Sequence, residues 1–89
     1  MAKKRRKLNK DFERKIYSSR KSVELVLAKI YDIDDEDIQK EYMCAFNGDV
    51  FLYEELKGDY ENQGFTENSE KLLNNYKNAF NLFESEYEI

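Results

Sequence analysis

Between Leu8 and Tyr31, apolar residues recur at three- and four-residue spacing. Wound at about 100° per residue, Leu8, Phe12, Ile16, Ser19, Val23, Val26, Leu27 and Ile30 share one face, and Lys10, Arg14, Tyr17 and Lys21 share the opposite one. The spacing predicts a helix over residues 10–32, with Asn9 as its cap and Asp11 well placed in its first turn. Ser19 puts a small side chain on the apolar face, where a neighbour can approach closely.

The run Asp32-Ile33-Asp34-Asp35-Glu36-Asp37-Ile38 reads as a break and a restart. With Asp34 as N-cap, Ile33 and Ile38 fall at the two positions of a hydrophobic staple, and the acidic first turn suits the helix dipole. Ile38, Tyr42, Ala45 and Phe46 then form the inner face of a second helix over 35–47, which Asn47-Gly48 would stop. Asp49 is placed to cap a third segment, Val50 to Asn62, that carries Phe51, Leu52, Leu56 and Tyr60 at helical spacing. Val50 to Tyr53 also reads as a short strand, and Gly58 weakens a helix there. Gln63-Gly64 closes this segment. Thr66 or Asn68 caps the last helix, 67–87. Leu72, Leu73, Tyr76, Ala79, Phe80, Phe83 and Tyr87 share one of its faces, and Asn74, Lys77, Asn78, Asn81, Ser85 and Glu88 the other.

These elements predict an all-α protein: a small bundle of three to four helices with a basic N-terminal arm. The division is a flexible arm over 1–8 and a single helical domain over 9–89. Short connections imply antiparallel neighbours, and the first and last helices are expected to form the main packed pair. The absence of proline and the presence of only three glycines favour helices over a turn-rich β-fold. Seven Tyr and six Phe, with no Trp, must supply much of the core. The stripe Tyr76, Phe80, Phe83, Tyr87 is assigned to it. With so small a core, part of that stripe is also a candidate surface for a homodimer or a protein partner.

Charge changes the picture more than composition does. Residues 1–21 carry ten Lys/Arg against two Asp/Glu, whereas 22–89 carry five against seventeen. A basic arm on an acidic body points to a charged partner. The arm residues Lys3, Lys4, Arg5, Arg6 and Lys7, with Lys10, Arg14, Tyr17 and Lys21 on the first helix, are the candidate contacts to DNA or RNA. Lys and Arg neutralise phosphates and release counterions without regard to sequence. Arg14 can donate two hydrogen bonds to one phosphate, and Tyr17 can stack on a base or bond a phosphate. No zinc-finger spacing, ribonucleoprotein aromatic box or recognition-helix pair accompanies them.

The acidic body carries the alternative. Asp34, Asp35, Asp37, Glu54 and Glu55 are the candidate residues for an inhibitor that mimics a nucleic acid toward a host nucleic-acid-processing or defence enzyme, and a host or phage protein is the corresponding partner. A structural or assembly protein is the third class.

Catalysis has little footing. There is no His to act as general base, Cys44 has no partner for a nucleophilic pair, and no glycine-rich phosphate loop exists. Counted from Asp32, the Asp-rich run places Asp37 where a calcium loop needs Gly and Met43 where it needs Glu, so no metal or cofactor is expected. A lone cysteine fits a reducing compartment. No run of 18 apolar residues occurs, and no apolar stretch of the signal-peptide kind follows the basic run. The expectation is a cytoplasmic, non-enzymatic protein encoded by a phage or other mobile element and acting in a bacterial host.

Overall fold

A computed structural model describes residues 7–87, which form three helices: α1 (Lys10–Tyr31), α2 (Glu36–Gln63) and α3 (Glu67–Glu86). Asn9 opens α1 as expected. Its backbone is extended, and its Oδ1 accepts a hydrogen bond from the Phe12 N–H at 3.0 Å. Thr66 opens α3 through a reciprocal capping box. Its hydroxyl accepts from the Ser69 N–H at 3.1 Å, and the Ser69 hydroxyl oxygen accepts from the Thr66 N–H at 2.8 Å.

The second helix starts one residue later than the spacing suggests. Asp35, not Asp34, is its cap, accepting from the N–H groups of Asp37 and Ile38. That shift moves Ile38 off the staple position and leaves it 46% exposed, outside the inner face expected for it. The Gln39 amide donates back to the Ile30 and Tyr31 carbonyls, so it satisfies the end of α1 and sets where α2 begins.

The larger correction concerns residues 47–50. Asn47-Gly48 does not stop a helix, Asp49 does not cap one, and Val50–Tyr53 is not a strand, because α2 runs unbroken from Glu36 to Gln63. Among the described residues only Gly64 has positive φ, at 77°, and it ends α2. Two glycines inside a helix cost about 1 kcal/mol each relative to alanine. The face formed by Phe46, Asp49, Tyr53, Leu56 and Tyr60 is buried along much of its length, and this burial outweighs the cost.

At 28 residues, α2 is about 42 Å long and serves as the spine of a molecule measuring 57 × 22 × 18 Å. It packs most extensively on α3 and next on α1, while α1 and α3 meet only along an edge. The expected first-and-last main pair is therefore replaced by two pairs that share α2. Ring contacts fix the directions. Phe12 meets Tyr60 at 5.5 Å, so α1 and α2 are antiparallel. Tyr42 meets Tyr87, Phe46 meets Phe83 and Tyr53 meets Tyr76, so α2 and α3 are antiparallel as well. It follows that α1 and α3 run parallel.

Two apolar clusters lie along this frame. Val23, Val26, Ile30, Phe46, Tyr53, Tyr76 and Phe83 form one, and Phe12, Leu56, Tyr60 and Leu73 the other, with Ile16 packed against both. The aromatic stripe of α3 is thus core: Tyr76 and Phe83 are buried, and Phe80 and Tyr87 pack against the first cluster. Ser19 is buried as well, and its small side chain admits the Tyr76 hydroxyl, which donates to the Ser19 carbonyl at 3.4 Å.

Lys3, Lys4, Arg5 and Arg6 lie outside the described residues. Lys7 is anchored beside the turn after α2, where its carbonyl accepts from the Phe65 N–H at 2.6 Å in a short parallel bridge with Gly64. Leu8 is 60% exposed rather than on the buried face, because it precedes the cap of α1 and the helical face does not extend to it.

Candidate nucleic-acid interface

Charge is unequally shared among the helices. α1 holds six Lys/Arg against three Asp/Glu, α2 two against eight, and α3 two against four. Of the carboxylates of α2, Glu61 shares a groove with Arg20 of α1, and Asp49 is buried.

Lys10, Arg14, Tyr17 and Lys21 are all exposed on one outward strip of α1, about 16 Å from end to end. Lys21 Nζ sits 5.2 Å over the Tyr17 ring, a cation–π contact within the strip. Arg14 Nη1 lies 3.5 Å from Asp11 Oδ1, with both side chains at least 80% exposed. A pair that open to water contributes little and gives way readily to a competing anion. Glu13 borders the strip, but its carboxylate is engaged below, where Oε2 accepts the Tyr60 hydroxyl at 2.7 Å.

A groove between α1 and α3 adds residues that the helical strip alone does not include. It has a volume of about 530 Å³ and is lined by Arg14, Lys15, Ser18, Ser19 and Ser22 from α1, and by Tyr76, Lys77, Phe80 and Asn81 from α3. None of these is acidic. Lys15 and Ser22 follow i, i+7 spacing on one flank of α1, and Lys77 and Asn81 follow i, i+4 spacing on the polar face of α3. Those spacings were visible in the sequence, but their juxtaposition depends on the parallel alignment of α1 and α3.

Behind the groove lies a buried carboxyl. Asp49 is 6% exposed, and its Oδ2 has no hydrogen-bond partner. Burial pushes the carboxyl up from 3.8 to about 6. The Tyr76 hydroxyl is also raised well above its ordinary value, chiefly by burial and then by the nearby Asp49 charge.

The structure does not gather the acidic alternative set. Asp35 is occupied as the cap of α2, and Asp37 and Glu54 lie about 26 Å apart along that helix. Cys44 is exposed and unpaired on α2. Among the described residues no group of His, Cys, Asp or Glu could hold a metal ion, and no helix is long and apolar enough to cross a membrane. The chain matches no protein family, no curated protein and no solved structure at a significant level.

Proposed function

We propose that this protein is a small nucleic-acid-associated accessory protein that contacts the phosphate backbone through α1 and the basic run preceding it. The observation that carries this reading is the outward strip of Lys10, Arg14 and Lys21, which is not folded against the carboxylates of α2. Cations so placed displace counterions from a polyanion, which gives affinity with little choice of sequence. Tyr17 adds an aromatic face at the centre of the strip. In the sequence, Lys3, Lys4, Arg5 and Arg6 add four cations just ahead of Lys7. The eight carboxylates of α2 disfavour approach of the backbone along that helix and so bias the orientation in which a polyanion docks. An exposed, unpaired Cys44 suits the reducing cytoplasm.

The test is binding of labelled mixed-sequence DNA and RNA, followed by fluorescence anisotropy at two salt concentrations. The expected outcome is affinity that falls by about tenfold or more between about 50 and 200 mM salt, and that Lys10→Glu, Arg14→Glu and Lys21→Glu together abolish. Binding that ignores both salt and the triple variant would refute the proposal.

A further inference from the structure

Resting on that reading, we infer that the groove between α1 and α3 is a site for a single nucleic-acid strand, its phosphates held by Arg14, Lys15 and Lys77 and a base laid against Phe80. Four observations converge on it. The cations come from both walls, Arg14 and Lys15 from α1 and Lys77 from α3, and no carboxylate lines the groove between them. A strand lying there meets positive charge on either side, as single-strand channels require.

The second observation is the aromatic residue. Phe80 is half-buried at the groove wall, and its ring is set by Phe46 at 6.0 Å and Tyr76 at 5.7 Å. A ring already held in place can receive a base without losing further freedom. The third is shape. The cations stand on the two walls of a seam between α1 and α3 whose volume is about 530 Å³, the scale of a small-ligand cleft rather than of a duplex. A flexible strand can follow the concave seam where a stiff duplex cannot.

The fourth is length. Lys15 and Lys77 also border an adjoining polar hollow that contains Asp11 and Glu70. Those carboxylates close the cationic seam at one end, so the site accommodates a few nucleotides rather than a long track.

The experiment compares a fluorescein-labelled oligothymidylate with a hairpin duplex of equal charge at low salt. It uses the wild-type chain, Lys15→Glu with Lys77→Glu, and Lys10→Glu with Lys21→Glu, each checked for helicity by circular dichroism. All four lysines are exposed, so the variants are expected to fold. The wild type should prefer the strand by about tenfold, and the Lys15/Lys77 pair should lose more strand affinity than the Lys10/Lys21 pair. A duplex bound as tightly as the strand, or a larger loss from Lys10/Lys21, overturns the groove while leaving the outward-strip reading intact. Failure of the wild type to bind either oligonucleotide overturns both.

Discussion

The two grooves that flank α1 make an instructive contrast. On the α2 side, Arg20 and Lys57 share their groove with Glu13 and Glu61. Arg20 is paired further with Glu24 at 3.4 Å, and Glu13 accepts the Tyr60 hydroxyl. Charge there is balanced within the molecule. On the α3 side, Arg14, Lys15 and Lys77 face serines, an asparagine and Phe80, with no carboxylate in the lining. The same helix thus contributes to one groove lined by cations and carboxylates together and to another whose lining holds cations alone, Arg14 meeting Asp11 only outside it. Compensated charge holds a fold together modestly, whereas uncompensated charge is available to a partner.

The largest expected effect concerns the carboxyl behind the uncompensated groove. Asp49 holds its proton more tightly in the folded chain, at about 6 against an ordinary 3.8, so its ionised form opposes folding. That deficit is fully present above the folded value and disappears as pH falls through the ordinary one. Asp49→Asn should therefore stabilise the protein at neutral pH by as much as about 3 kcal/mol. The gain over wild type in urea denaturation should shrink toward zero as the solution is acidified. An equal gain at every pH would show that the Asp49 charge is not the cause.

Next in size is conversion of the balanced groove. Glu13→Gln with Glu61→Gln removes two charges while keeping an acceptor for the Tyr60 hydroxyl. Oligonucleotide affinity should rise by roughly threefold as two long-range repulsions are removed. Unchanged affinity would mean that this side lies too far from the bound backbone to influence it.

A further effect, on stability alone and smaller than that of Asp49, concerns the spine that holds the two grooves apart. A Cβ added at Gly48 or Gly58 meets nothing within 4 Å. Gly48→Ala and Gly58→Ala should each stabilise α2 by about 1 kcal/mol, read as a higher denaturation midpoint, without changing oligonucleotide binding.

How much of this was legible in the sequence follows from how each helix is buried. α1 and α3 carry narrow apolar stripes, so their periodicity, their caps at Asn9 and Thr66 and their inner residues could be read directly. α2 is covered by two helices, and its buried face includes a carboxylate, Asp49, where a sequence reader expects a cap. Asn47-Gly48-Asp49 imitates a stop and restart, and only the packing of Phe46 and Tyr53 on the other helices overrides it. That one difference changed the site. Four helices in up-and-down order would set the first and last antiparallel, whereas three set them parallel. Lys77 consequently stands across a groove from Lys15 instead of elsewhere. The outward strip of Lys10, Arg14, Tyr17 and Lys21 needed no tertiary information, because it depends on helical geometry alone.

The most direct test of where a polyanion meets this protein is an NMR titration of the isotope-labelled chain with a short oligothymidylate. Amide shifts should concentrate at Arg14, Lys15, Ser18, Lys77 and Asn81, with little change at Cys44, Phe51 and Glu55 on the far side of α2. Shifts centred on that far side of α2, or none anywhere at low salt, would contradict the account.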